Sequence, residues 1–356
     1  MWINSLSISD LRVIRSLELR PREGINFVCG PNGAGKTTIL EAIYLAGRGQ
    51  SFRHQDAGPM IRNGSDDATI VVKMVGAGGR QAILGVRRSA KNVECRLNGE
   101  NVSKRSGLAM ALPVQWIGSQ PQLLLSMGPE VRRRFLDLGV FHVEHSVYSE
   151  EAKGYQRALR QRNAAIRMNQ PELVRMWDEP LATAGTAIDR LRQSFLELWA
   201  PRVRDILSEW LGGLDVSFVY RRGWNRQQDL LEIYRTKRDT DFNLGYTYAG
   251  PHRADIEIKA VQGLAEKTLS RGQQKLLVLA MNMAMLDVAK SRSSEVPVLL
   301  LDDLAAELDK GNQERVLLAV SDRCEQSFIT NISSVLDPAL SPSCTMFHVE
   351  HGHLTT

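Results

Sequence analysis

Through the first hundred residues, apolar side chains recur mostly at every second position. Residues 3–8, 25–29, 69–74, 81–86 and 93–97 carry this alternation or a short apolar run, and each predicts a β-strand. Asn98-Gly99, directly after the last of these, predicts a tight hairpin turn. Within this stretch, residues 38–46 (Thr-Ile-Leu-Glu-Ala-Ile-Tyr-Leu-Ala) instead have the apolar spacing of a helix. From about residue 128 to 211 the period becomes helical, in a segment rich in Leu, Ala and Arg. Strand character resumes at 216–220 and 256–259, followed by an apolar helical run at 276–289. The near-continuous apolar segment 296–301 reads as a strand buried on both faces, central in a parallel sheet. The pattern predicts an α/β fold: a head with a mixed β-sheet, split in sequence by an inserted, mainly helical lobe. The expected division is residues 1–115 and 230–356 for the head, and 116–229 for the lobe. No apolar heptad seam runs far enough to predict a long coiled coil.

The junction between strand 25–29 and helix 38–46 carries the most specific chemistry. Gly30-Pro31-Asn32-Gly33-Ala34-Gly35-Lys36-Thr37-Thr38 fits G-x-x-x-x-G-K-[ST]. The glycines let the backbone turn tightly, so that successive N–H groups point at phosphate oxygens. The positive end of the following helix dipole aims at the same anion. Lys36 is expected on the terminal phosphates and the Thr37 hydroxyl on Mg²⁺. A strand before and a helix behind are the context this loop requires, so the sequence predicts a nucleoside triphosphate ligand.

Composition adds a lean rather than an answer. The chain has 356 residues, enough for one large core or two modest domains, and a net charge of +5 with a pI near 9.1 that favours an anionic partner. Residues 1–6 lack the basic start and long apolar centre of a signal peptide. The apolar run 276–289 is too short to span a bilayer and is interrupted by Asn282 and Asp287, so no membrane partner is expected. Cys29, Cys95, Cys324 and Cys344 are scattered without C-x-x-C spacing, which fits a reducing cytoplasm.

The strand 296–301 runs into Asp302-Asp303, a carboxylate pair of the kind that completes a phosphate loop. Asp302 is expected to hold Mg²⁺, and Asp303 to act as the base or water-positioning group opposite the γ-phosphate. Thr268-Leu269-Ser270-Arg271-Gly272-Gln273-Gln274-Lys275 opens the apolar helix that runs through Ala289, its Ser270 lying 32 positions before Asp302, and Ser270 and Gly272 at the helix N-terminus form a second anion-binding device. This segment resembles the ABC ATPase signature L-S-G-G-Q, with Arg271 at a usual glycine. The resemblance implies that Ser270, Gly272 and Gln273 of one copy cap ATP held by the phosphate loop of another, giving an ATP-dependent homodimer. Ala306-Glu307-Leu308-Asp309 resembles the D-loop of the same superfamily. Gln120 stands where the Q-loop glutamine falls, which implies contact with Mg²⁺ or the attacking water; a plain surface glutamine is an equal reading of the residue itself.

Among ABC-type heads, further stretches resemble the RecF family. Gly128-Pro129-Glu130-Val131-Arg132-Arg133-Arg134-Phe135-Leu136-Asp137 resembles its first signature and Gly250-Pro251-His252-Arg253-Ala254-Asp255 its second. Residues 155–163, Trp177-Asp178-Glu179, Gly223-Trp224 and residues 346–352 are similar to it as well. The resemblance implies a cytoplasmic protein of recombinational repair and replication-fork recovery that binds single- and double-stranded DNA when loaded with ATP. It also implies slow, DNA-stimulated hydrolysis and work alongside RecO and RecR to place RecA on gapped DNA. Departures are Asp303 where many ABC heads have Glu, and Thr330 or Asn331 where a switch histidine is usual. The alternative is the ATPase subunit of an ABC transporter. An SMC-type ATPase needs coiled-coil arms that this length does not encode, and a metabolite kinase needs an acceptor pocket that the sequence does not display.

The lobe's arginines (Arg132 to Arg134, Arg157, Arg160, Arg162, Arg167, Arg175, Arg190, Arg192, Arg202 and Arg204) are candidates for a phosphate-tracking surface. Arg132 to Arg134 span nearly a full helical turn, so at least one is expected to pair internally with Asp137 or Glu130. No aromatic platform or recognition-helix motif is present, and DNA binding is expected to be sequence-independent. Phe-His-Val-Glu-His occurs at both 141–145 and 347–351; alternating residues on a surface strand or tail are favoured there over a metal site.

Overall fold

The computed structural model describes all residues except 54–59, 293–295, 305–307, 332–343 and 356. The chain divides into two compact units, Met1–Pro121 with Ala289–Thr356, and Gln122–Val288. The first unit opens with β1 (Trp2–Leu11), β2 (Ile14–Leu19), β3 (Gly24–Cys29), α1 (Lys36–Arg48), β4 (Asp67–Val75), β5 (Gln81–Ser89), β6 (Val93–Leu97), β7 (Glu100–Asn101), α2 (Arg105–Ala111) and β8 (Val114–Ile117). The second unit contains α3 (Leu123–Ser126), α4 (Pro129–Val143), α5 (His145–Arg167), α6 (Pro171–Leu211), β9 (Val216–Arg221), α7 (Leu230–Thr236), α8 (Arg238–Leu244), β10 (Asp255–Ala260), β11 (Gly263–Leu264) and α9 (Ala265–Thr268). Helix α10 (Arg271–Arg292) leads back to the first unit, which ends with β12 (Val298–Leu301), α11 (Lys310–Arg323), β13 (Gln326–Asn331), β14 (Cys344–Glu350) and β15 (His353–Thr355).

The first unit is built from two sheets. One is antiparallel in the order β2-β1-β4-β5-β6-β7. Its period-two pattern buries Ala68, Ile70, Val72 and Met74 of β4 while the alternate side chains are less buried. The other has the order β15-β14-β3-β13-β12-β8, parallel except for the edge pair β14–β15. All four residues of β12 are buried, as a strand flanked by β8 and β13 requires. Helix α1 belongs to one core with both sheets. Its Ile39, Leu40, Ile43 and Ala46 share a cluster with Ile8 and Ile70 from one sheet and Val28, Leu300 and Phe328 from the other. A helix so enclosed must be apolar nearly all round. Asn98 and Gly99 have φ of 52° and 88° and form the two-residue turn between β6 and β7, as expected.

The second unit packs α5 against α6 and adds the three-stranded antiparallel sheet β11-β10-β9. The expected division of the chain differs here. Residues 230–288, assigned to the head from sequence, fall in the helical unit, because β10 pairs with β9 over six residues and Leu230, Ile233 and Tyr234 of α7 share a core with Tyr155 and Leu181. Residues 116–121 stay with the head, since β8 pairs with β12 as far as Ile117. The repeated pentapeptide takes two forms. At 347–351 it lies on β14 and its turn, whereas at 141–145 it spans the end of α4 and the first residue of α5, overturning the strand or tail expected there. Five residues do not specify a structure; the flanking sequence and packing do.

Candidate phosphate-binding site

Four adjacent parallel strands, β3, β13, β12 and β8, end on the same edge of their sheet, and each delivers candidate residues at its carboxyl end. Beyond β3 lies the loop from Gly30 to Gly35. Beyond β12 lie Asp302 and Asp303, β13 ends in Thr330 and Asn331, and β8 is followed by Ser119 and Gln120. The strand ends enclose a cavity of about 340 Å³ lined by Asn32, Gly33, Gly35, Lys36, Thr37, Thr38, Asp302, Asp303, Thr330 and Asn331, together with Arg12, Val13, Arg53 and Ser119. The sequence thus named most of its lining. Gln120 is exposed beside Ser119 and is not among the lining residues.

The loop's shape depends on glycine at two points. Gly30 has φ of 151°, and a Cβ there would sit 2.1 Å from the Val349 carbonyl oxygen. Gly35 has φ of 111°, and a Cβ there would meet Val13 Cγ2 at 3.3 Å. Pro31, Asn32 and Ala34 fill the turn, and Ala34 N–H donates to the Pro31 carbonyl at 3.3 Å. Lys36 folds back over the loop, donating from Nζ to the carbonyls of Gly30 at 2.7 Å and Pro31 at 2.9 Å. Helix α1 begins at Lys36, so the loop precedes its N-terminus. At the end of β3, burial pushes the Cys29 thiol up, opposed by the nearby Lys36 charge.

The acidic side is equally ordered. Thr37 Oγ1 donates to Asp302 Oδ1 at 3.1 Å, and Thr330 Oγ1 donates to the same oxygen at 2.6 Å. Thr330 Oγ1 also accepts the Asp303 N–H at 2.8 Å, while Asp303 has φ of 55°, a left-handed conformation uncommon outside glycine. One buried threonine therefore ties both carboxylate residues to β13. The donor set of a hydroxyl and a carboxylate is the hard-oxygen type that Mg²⁺ accepts, and the glycine cradle with Lys36 is of the kind that takes phosphate.

Two positioning features were not foreseen. Arg12, in the turn between β1 and β2, lines the cavity, and its guanidinium meets Glu41 of α1 through Nε at 2.5 Å and Nη2 at 2.7 Å. Glu41 is fully buried and also accepts from Ser51 Oγ at 2.5 Å. Its signal in the sequence was a carboxylate inside an otherwise apolar helical run, which demands a buried cation. Arg12 itself carried no such signal.

In the second unit, Ser270 and Gln273 cap α10 reciprocally. Gln273 N–H donates to Ser270 Oγ at 3.3 Å, and Ser270 N–H donates to Gln273 Oε1 at 3.0 Å. Ser270 and Arg271 are exposed and Gly272 is half-buried. Of the D-loop-like segment, Ala306 and Glu307 lie outside the described residues; Leu308 is buried and Asp309 caps α11 by accepting the Asn312 N–H at 2.8 Å.

The two RecF-like signatures meet each other. Arg132 forks onto Asp255 at 2.8 and 3.0 Å, Arg133 donates to the Ala254 carbonyl at 2.7 Å, and Arg192 bridges Asp137 at 2.8 and 3.0 Å to the Pro251 carbonyl at 2.8 Å. Arg162 is fully buried between Asp178 at 2.9 Å and Asp241 at 2.7 Å. Arg134 pairs with Glu130 as expected, and Arg175 with Glu172. Arg132, Arg162 and Arg192 are thus internal structural cations, not members of a phosphate-tracking surface. Buried Asp178 and Asp241 demand Arg162, and forked pairs with the half-buried Asp255 and Asp137 hold Arg132 and Arg192 in place. Near them His252 Nε2 lies 2.9 Å from the Thr247 carbonyl, which can only accept, so Nδ1 accepts from the Tyr155 hydroxyl at 2.6 Å. Burial holds His252 neutral, down to about 4.

Sheet order, loop and paired acidic strand end define a phosphate-loop head, and residues 2–355 match the model of the RecF/RecN/SMC N terminal domain. Within that class, the chain belongs to the RecF family of DNA replication and repair proteins. It is 38% identical over 364 residues to DNA replication and repair protein RecF of Chromohalobacter salexigens, covering 100% of both chains. The protein of the same name from Shewanella pealeana is 34% identical over 359 residues, covering 100% of this chain and 99% of the relative. A solved structure of the recombination mediator protein RecF with ATP, of the RecFOR pathway, superposes with a TM-score of 0.89 at 22% identity, over 99% of this chain and 97% of that one. An SMC head bound to the C-winged helix domain of ScpA superposes with a TM-score of 0.62 at 15% identity, over 100% and 97%. These two likenesses concern the fold. Among the described residues, no helix is long and apolar enough to cross a membrane.

Proposed function

We propose that the chain is an ATP- and Mg²⁺-dependent DNA-binding switch of recombinational repair, in which nucleotide joins two copies head to head and so closes a grip on DNA. The observation that carries this reading is the convergence of Lys36, Thr37, Asp302, Asp303 and Thr330 at the carboxyl ends of adjacent parallel strands. Bound Mg-ATP supplies the γ-phosphoryl electrophile and a dense negative charge. Lys36 then exchanges its two carbonyl partners for phosphate oxygens, while Gly30 to Thr38 present the backbone cradle. Thr37 and Asp302 would hold Mg²⁺, which would neutralise charge developing on the phosphate oxygens. Asp303 orients water and takes its proton at the carboxylate, with Gln120 assisting beyond β8.

Ser270, Gly272 and Gln273 of a second copy complete the phosphate shell, exchanging their capping bonds for the ligand. Binding energy at the seam thereby becomes dimerisation energy, and slow, DNA-stimulated hydrolysis removes it. The DNA, single- or double-stranded, is held through its backbone without sequence preference, and RecO and RecR act with the protein to place RecA on gapped DNA in the cytoplasm. Membership of the RecF family favours this reading over a transporter subunit.

The test is sedimentation of wild-type protein and of Ser270→Arg with and without ATP-Mg²⁺. Wild type is expected to shift to dimer with nucleotide, and Ser270→Arg to remain monomeric while still binding ATP. An unchanged wild-type dimer fraction overturns the switch.

A further inference from the structure

Once the internal cations are set aside, the remaining exposed basic residues of α5 fall into a pattern. The helix buries Tyr155, Ala158, Arg162, Ala165 and Ile166 along one side. On the opposite side lie Lys153, Arg157, Arg160 and Arg167, at i, i+4, i+7 and i+14, all exposed. At 1.5 Å per residue they form a straight stripe about 21 Å long. No carboxylate occurs in α5 from Lys153 to Arg167, whereas α6 mixes both signs along its length. Among the described residues, none of the four side chains has an ion-pair or hydrogen-bond partner. Four like charges on one rigid face repel one another and destabilise the free helix slightly, so the fold gains nothing from the arrangement.

We infer that this face of α5 is a docking surface for the phosphate backbone of duplex DNA, a deepening that rests on the DNA-binding reading above. Charge selects a polyanion. A protein partner would need an apolar or aromatic anchor within the stripe, and the exposed apolar residues nearest to it, Val147 and Met168, lie outside it, before Lys153 and at the C-cap of α5. Unpaired bases would need an aromatic platform, and the one aromatic residue of the segment, Tyr155, is on the buried side. A rigid line of cations with small or amide residues between them suits a regular row of phosphates, contacted without reference to sequence.

The test is fluorescence anisotropy with a short duplex, in the presence of ATP-Mg²⁺, over a salt series from about 50 to 300 mM. Changing Lys153, Arg157, Arg160 and Arg167 together to Gln is expected to flatten the slope of log affinity against log salt by up to about 3.6, and to weaken binding about 10²- to 10³-fold near 0.1 M salt. Nucleotide binding should be unchanged, and Arg→Lys at the three arginines should keep the wild-type slope. If the fourfold variant does not fold by circular dichroism, the single variants decide, each lowering the slope by about 0.9. Duplex binding by wild type with an unaltered slope in the variants overturns this surface and leaves the DNA-binding reading standing. Failure of wild type to bind duplex under any salt or nucleotide condition overturns both.

Discussion

Replacing Thr330 with Val isolates the one side chain that ties both carboxylate residues to β13. The residue is 1% exposed, and the change swaps a hydroxyl for a methyl at nearly constant volume. Two bonds disappear: the 2.6 Å donation to Asp302 Oδ1 and the 2.8 Å acceptance of the Asp303 N–H. A hydrogen bond to a charged group contributes about 1.5–3 kcal/mol, and an orphaned buried N–H costs about 1–3 kcal/mol. The left-handed backbone at Asp303 then loses its tether, so both carboxylates move relative to Thr37 and Lys36. If the first of these losses falls on the transition state, turnover drops about 10- to 150-fold. Nucleotide affinity, held mainly by the loop and Lys36, should stay within about threefold. Phosphate release under single-turnover conditions gives the rate, calorimetric titration gives the affinity, and thermal melting reports the cost to stability separately. Thr330→Ser keeps the hydroxyl and should behave like wild type. Turnover of Thr330→Val within twofold of wild type, or equal impairment of the Ser variant, would refute the reasoning.

Three other outcomes are expected. Gly30→Ala should abolish nucleotide binding and cost about 1–3 kcal/mol or more, since its Cβ would lie 2.1 Å from a backbone oxygen; a retained dissociation constant would contradict this. Arg162→Met strips the cation from buried Asp241 and leaves buried Asp178 with Arg238 alone, at a cost of about 3–5 kcal/mol, which chemical denaturation should register; adding Asp241→Asn should recover part of it. His252 is held neutral to about 4 against an ordinary 6.5, so the unfolded chain takes up a proton that the folded chain refuses; stability is full above pH 6.5 and falls by about 3 kcal/mol between 6.5 and 4. Urea midpoints across that range should show the fall in wild type and a shallower one in His252→Gln.

Much of the head was legible because its signals are local. An alternating or continuous apolar run reports one sheet environment, and β6 appears at the residues its pattern marked. The glycine loop announces itself because only glycine tolerates the angles at Gly30 and Gly35, with Lys36 and Thr37 directly behind, and Asp302 shows itself as the carboxylate that ends the apolar run of β12. Less legible were β13, β14 and β15, which lack a strong period, and the side of the boundary on which residues 230–288 fall. That depends on the pairing of β9 with β10, and a strand does not state its partner.

By itself, then, the sequence determined the glycine loop, the carboxylate pair that ends a buried strand and the alternation of sheet and helix, since each is a local pattern of residue types along the chain. Only the tertiary structure decided which arginines are free. Arg162 and Arg160 look alike in sequence, yet one is enclosed by Asp178 and Asp241 and the other faces solvent, because carboxylates far along the chain fold onto one side of α5 and not the other. The same holds for Arg12 and Glu41, and for Thr330 between Asp302 and Asp303: each is a pairing between separate segments, set by how the chain folds back on itself rather than by spacing.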